Sequence, residues 1–229
     1  MAYTEKSIKK YQSTMKKAIA QYNKIAVESV VLCVSTGNEK IGKVMNVSLP
    51  PMFTCGNCKE CSKICYDIKA NLQYPNTVVK ARARNYSVFK RNRELYFALI
   101  DKKISHRKLH KFFRWHVAGD IVDFGYFEQM VEIARRHPDF IFWTYTKMYG
   151  IVNSFCDQYG KDAIPDNFKI MFSEWRGMPM DNPYGFPEFR VVFKDEERPK
   201  GFYCPGNCDV CKEKKLGCIG GYTTYCLEH

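Results

Sequence analysis

Four cysteines, Cys55, Cys58, Cys61 and Cys65, fall at C-x2-C-x2-C-x3-C inside one short loop, Thr54 to Tyr66. Thiolates at these intervals converge on one soft-metal centre, and this type of run holds iron–sulfur clusters. Gly56 and small or polar neighbours let the backbone wrap that centre. A second group, Cys204, Cys208, Cys211, Cys218 and Cys226, lies near the other end of the chain. Nine of the eleven cysteines therefore sit in two groups. The Lys-rich N-terminal stretch has no apolar h-region, so no secretion signal is expected. The expected compartment is then the reducing cytoplasm, where clustered thiols are metal ligands more often than disulfides.

Zinc sites usually separate two C-x2-C knuckles by about 15 residues or more. The first loop has no such spacer, which points to a [4Fe-4S] cluster. The second group suits either a further [4Fe-4S] cluster or zinc. It also suits a plain fold staple, since metal binding supplies folding energy to a Gly-rich segment with little core of its own. Four cysteine ligands close a cluster to everything but electrons. Three leave one iron open to a small molecule.

The elements that must position these groups follow from periodicity. Residues 4–28 read as an amphipathic helix: Ile8, Tyr11, Met15, Ile19, Tyr22 and Ile25 recur every three or four positions. Its lysines suit a solvated face or a nucleic-acid contact. Ser29 to Ser35 is a β-branched apolar run and predicts a buried strand containing Cys33. Gly42 to Leu49 predicts another, before Pro50-Pro51 and the cysteine loop. Helical spacing then runs from Asn76 to Lys103. Strands follow at Phe112 to Val117, Phe140 to Tyr145 and Phe168 to Phe172, with helices between them capped by Asp123 and closed by Gly160. Phe189 to Phe193 makes a last strand.

This alternation argues for a parallel sheet with crossover helices, an α/β partial (β/α) barrel. Segments after the strand C-termini then gather on one face. They supply His116, Asp120, Lys147 and Glu174 as candidate catalytic groups, each also readable as a turn or ion-pair residue. Lys147 suits an anionic ligand or a plain exposed strand end, and Glu174 and Arg176 form an ion pair or line a pocket. Trp115, Trp143 and Trp175 read as core or pocket wall. The organisation expected is a helix over 1–28, a core over 29–197 holding the loop 54–66, a metal-binding tail over 198–226, and a tag remnant at 227–229.

Charge bounds the partners. The formal net charge is +12, which favours a nucleic acid, a nucleotide or another anionic partner. The basic stretch from Lys102 to Arg114 is a second candidate phosphate contact, or simply a solvated loop. No apolar run approaches the roughly 20 residues of a membrane helix.

Ser35-Thr36-Gly37-Asn38, Ser48-Leu49-Pro50-Pro51, Cys61-Ser62-Lys63-Ile64-Cys65-Tyr66, Arg114 to Asp120 and Tyr145-Thr146-Lys147 together resemble the bacteriophage "gene product 88" family. The resemblance implies a phage protein working in the host cytoplasm and brings no particular reaction. More distantly, the order of strand, cysteine loop, helix and strand resembles radical S-adenosylmethionine (SAM) enzymes. That resemblance implies Gly119 and Asp120 near the amino group of bound SAM, Ser173 and Glu174 nearer its ribose, and an auxiliary cluster in the tail. The usual C-x3-C-x2-C triad is replaced in the loop by C-x2-C-x3-C at Cys58, Cys61 and Cys65. The usual spacing occurs at Cys204, Cys208 and Cys211 instead. The expected protein is a redox enzyme, with a non-catalytic iron–sulfur carrier or a zinc-ribbon nucleic-acid binder as alternatives.

Overall fold

The computed structural model describes residues 3–39, 41–56, 58 and 60–228. Asn57 and Lys59 of the cysteine loop, the first two residues of the 1–28 segment and His229 of the tag remnant lie outside them. The chain forms two compact units that interleave along the sequence.

The first unit takes residues 1–34, 47–106 and 116–120 and is helical. Helix α1 (Glu5–Asn23) starts at Thr4, whose hydroxyl accepts the Ser7 N–H at 3.2 Å. Tyr11, Met15 and Ala18 form its buried stripe and pack with Ile68, Val79 and Ala83. Those partners come from α2 (Tyr66–Gln73), a π-helical turn (Pro75–Val79) and α3 (Lys80–Arg91). Arg91 donates to the Tyr22 and Ile25 carbonyls, satisfying the open C-terminal end of α1. The helix predicted from Asn76 to Lys103 is broken: Asn92 is extended, and its side chain accepts the Leu95 N–H to start α4 (Arg93–Ser105). Local capping outweighed continuous periodicity there.

The predicted strand Ser29 to Ser35 does not pair over its apolar run. Val30 and Leu32 are buried and Val31 is 68% exposed, a strand-like alternation. Its main chain, however, is bonded by Asn85 of α3, which accepts the Cys33 N–H at 2.8 Å and donates to the Cys33 carbonyl at 2.9 Å.

The second unit takes residues 35–46, 107–115 and 121–229. It is built on a seven-stranded sheet ordered β1-β2-β3-β4-β5-β7-β6. The strands are β1 (Met45–Val47), β2 (Phe112–Trp115), β3 (Ile141–Thr146), β4 (Phe168–Glu174), β5 (Glu188–Val192), β6 (Phe202–Tyr203) and β7 (Thr224–Leu227). From β2 onward every neighbouring pair is parallel. The predicted α/β alternation is therefore present, with sequential strand order through β5. Crossovers α5 (Phe124–Arg136) and α6 (Tyr149–Tyr159) bury Phe127, Met130, Val131 and Phe155. Asp123 caps α5 by accepting the Tyr126 N–H, as its position in the sequence predicts. Trp115 and Trp143 are fully buried core residues. The cysteine-rich segment contributes β6 and β7 to the sheet, together with α7 (Cys208–Lys214) and α8 (Gly217–Gly220), and α8 packs on β3 and β4.

Candidate metal centres

In the helical unit, Leu49 and Pro50 lead the chain into the cysteine loop. The Thr54 hydroxyl donates to the Pro50 carbonyl at 3.0 Å, and the Tyr11 hydroxyl donates to the Pro51 carbonyl at 2.8 Å. A turn brings the Cys58 N–H to the Cys55 carbonyl at 3.3 Å. Cys58 also hydrogen-bonds through its sulfur with Cys55 and Cys61; the Cys55 contact and burial push its pKa up to about 12. Cys65 precedes α2, and the Asp67 and Ile68 amides face its sulfur. Burial raises its pKa, and those amides oppose the rise as a helix N-terminus does. The loop's four thiols thus act on one another through hydrogen bonds or charge.

The His116–Asp120 turn belongs to the same unit and is stitched to the loop's approach. The His116 N–H donates to the Val47 carbonyl at 3.0 Å, the Leu49 N–H to the Ala118 carbonyl at 2.9 Å, and the Ala118 N–H to the Ser48 hydroxyl at 3.3 Å. His116 is 3% exposed with φ +56°, an uncommon conformation for a residue with a side chain. Gly119 has φ +87°, and a Cβ there would lie 2.8 Å from the Thr54 hydroxyl. Only glycine lets this turn approach the residue that precedes Cys55. The structure therefore joins His116, Gly119 and Asp120 to the approach of the first cysteine group.

In the sheet unit, four of the five tail cysteines act on one another. Burial pushes the Cys208 pKa up to about 11, with Cys204, Cys218 and Cys211 adding to the rise and the Arg114 cation opposing it. Cys218 is raised chiefly by burial, against hydrogen bonds from Tyr145 and Thr224. Cys211 is raised by burial, then by Cys204 and Cys218. The Cys226 sulfur donates to the Leu227 carbonyl at 3.5 Å. Two tight turns bring the four together. Gly217 (φ +51°) has no room for a Cβ, which would lie 2.6 Å from the Phe202 ring, and Asn207 caps α7 by accepting the Asp209 N–H at 2.8 Å.

Among the described residues, no three His, Cys, Asp or Glu side chains close tightly enough to hold a metal ion as they stand. The donor chemistry of both groups nevertheless fits a thiolate-ligated metal. Neighbouring, partly buried thiols stay protonated by themselves, and a metal cation is the partner that makes their anionic form favourable.

The strand-end residues of the sheet unit make their own contacts. Lys147 donates to the Ser173 hydroxyl at 2.9 Å and lies over the Trp175 ring at 5.6 Å. Glu174 pairs with Arg190 at 3.5 Å, and burial raises its pKa. Arg176 turns away to Asp195 and Glu196, so its ion pair is not with Glu174. Both residues do line a cavity of about 120 Å³.

A family model described as "Gene product 88" matches residues 6–220. The chain belongs to the gene product 88 family. The phage-family resemblance of the sequence is thereby borne out. No curated protein and no solved structure matches this gene product 88 chain. Among its described residues no helix is long and apolar enough to cross a membrane.

Sequence reasoning missed the groups that face the tail thiols of this family member. Arg114 lies on β2 with its guanidinium 4.6 Å from the centre of the Tyr145 ring, and the half-buried Tyr145 hydrogen-bonds Cys218. One signal was available: a lone arginine inside the aromatic strand Phe112-Phe113-Arg114-Trp115. A charge in such a strand needs a specific partner.

Proposed function

We propose that this gene product 88 protein is an iron–sulfur protein with two thiolate sites. Cys55, Cys58, Cys61 and Cys65 hold one [4Fe-4S] cluster, and Cys204, Cys208, Cys211 and Cys218 hold the other. Cys226 on β7 stays a candidate ligand of the second site beside them. The observation that carries the reading is the tail arrangement: four mutually interacting thiols faced by a cation and a tyrosine hydroxyl. Donors and positive charge next to sulfur stabilise the anionic, reduced form of a cluster. Zinc needs no such adjustment, having no redox chemistry.

The finer reading is a radical-SAM-like redox enzyme on a partial (β/α) barrel, in which Cys58, Cys61 and Cys65 alone would hold the first cluster and leave one iron for a small molecule. The sequential parallel order β2-β3-β4-β5 supports the barrel. The Gly119–Asp120 turn stitched to the first loop supports SAM contact at that cluster. Bound there, SAM would supply a radical when reduced. Gly119 would offer unobstructed backbone, Asp120 would accept hydrogen bonds from the amino group, and His116 would shape the same turn. Ser173 and Glu174 remain the ribose candidates.

Protein purified without oxygen should carry iron and inorganic sulfide at both sites. Incubation with SAM and a strong reductant should release 5′-deoxyadenosine. Colourless protein containing zinc and no sulfide sinks the iron–sulfur reading. Full iron without 5′-deoxyadenosine leaves the non-catalytic electron carrier.

A further inference from the structure

The net charge is not shared evenly between the two units. The helical unit holds 17 lysines and arginines against 7 aspartates and glutamates, so it carries +10 of the chain's +12. Much of this lies on α1. Lys6, Lys9, Lys10, Lys16, Lys17 and Lys24 are all exposed. At 3.6 residues per turn they fall within about a third of the helix circumference, opposite Tyr11 and Met15. From Lys6 to Lys24 the ribbon is about 27 Å long at 1.5 Å per residue.

A face that serves solubility interleaves both signs. Here Glu5 is the one acidic residue of α1, and it is spent on Lys9 at the first turn. Beyond it the ribbon has no anion, and Lys6 and Lys10 stand at i, i+4, a spacing at which like charges destabilise a helix. A chain that keeps this repulsion has an anion to meet it.

The buried face of α1 decides against a membrane. The apolar stripe of α1 is already packed against α2 and α3, leaving no apolar face to enter a bilayer. A ribbon of cations about 27 Å long matches the evenly spaced phosphates of a nucleic-acid backbone. We infer that the outer face of α1 is a binding surface for a nucleic-acid backbone.

Fluorescence anisotropy with a labelled single strand of about 20 nucleotides, titrated with salt from about 50 mM, tests this. The logarithm of affinity should fall linearly with the logarithm of salt. Lys10→Glu/Lys17→Glu/Lys24→Glu should weaken binding at least tenfold and flatten the salt slope by about 2, near 0.7 per lost phosphate contact. The same triple change to Gln should weaken it less, with thermal melting unaltered in both variants. Three results overturn the inference: no salt-dependent binding, equal binding by folded wild-type and triple variant, or binding to phosphatidylserine vesicles or poly-glutamate as tight as to the strand.

Discussion

Tyr145 carries the sharpest consequence at the scale of single residues. Burial first, then the nearby Cys218 sulfur, hold its pKa far above the tyrosine range, so it stays a hydrogen-bond donor. Removing one such donor costs about 0.5–1.5 kcal/mol, which for a one-electron couple is roughly 20–60 mV. In cluster-loaded protein Tyr145→Phe should therefore lower one reduction potential by roughly 20–60 mV with iron content unchanged. Redox titration followed by electron paramagnetic resonance reads this, and an unmoved potential removes Tyr145 from the cluster's surroundings. Cys156 gives the opposite case, a thiol with no chemistry assigned. It is 3% exposed, and burial pushes its pKa up to about 11. At pH 8 only about one molecule in a thousand is thiolate, the reactive form. Alkylation followed by peptide mapping should find Cys156 unmodified at pH 8, with labelling rising as pH climbs through 9 towards 11. Labelling at pH 8 as fast as that of a small-molecule thiol contradicts this burial.

Asn85 governs how elements meet in the helical unit. It is fully buried on α3, accepts the Cys33 N–H, and donates to the Cys33 and Ser48 carbonyls at 2.9 and 3.0 Å. One side chain thus does the work of a neighbouring strand for the Val30–Val34 segment, and it fixes Ser48 just ahead of the cysteine loop. Asn85→Ala leaves three main-chain groups without these partners and should cost about 3 kcal/mol or more, at about 1–3 for each unsatisfied buried group. Urea unfolding measures it, and a loss under about half a kcal/mol would mean that water replaces the amide. The same residue explains why the sequence misleads here. The apolar, β-branched pattern predicts burial and extension correctly, but not what bonds the backbone, because that partner lies 52 residues away. Helix α5 was legible because its cap, stripe and stop are all local: Asp123, Phe127 to Ala134, and Pro138. The cysteine groups were legible for the same reason, through spacing alone. Arg114 and Tyr145 face the tail thiols only because parallel β2 and β3 set them side by side, which no local pattern encodes.

At the scale of the whole molecule, the two cysteine groups fall in different compact units, although each unit draws on separated stretches of chain. The sequence suggests a core with a metal-binding tail. The tail's strands, though, belong to the seven-stranded sheet, with β7 paired in parallel to β5 and β6. Metal at the tail site then ties α7 and α8 to the sheet through Tyr145 and Arg114, whereas metal at the first site ties the loop to α2 and the His116–Asp120 turn. Each site rests on its own unit's packing, so the two should fill independently. Cys61→Ser and Cys211→Ser should each remove about four irons of about eight, the content of two [4Fe-4S] clusters. The double variant should be nearly iron-free. Each single variant should also lose a different spectral signature, because the tail sulfurs have Arg114 and Tyr145 beside them while Cys65 has the helix amides of α2. Hydrogen exchange read by mass spectrometry should show loosened protection in β6, β7 and α8 for Cys211→Ser, and in the 54–66 loop and α2 for Cys61→Ser. If either substitution empties the protein of iron while protection in both units stays intact, the sites are not independent and the assignment of one cluster to each unit fails.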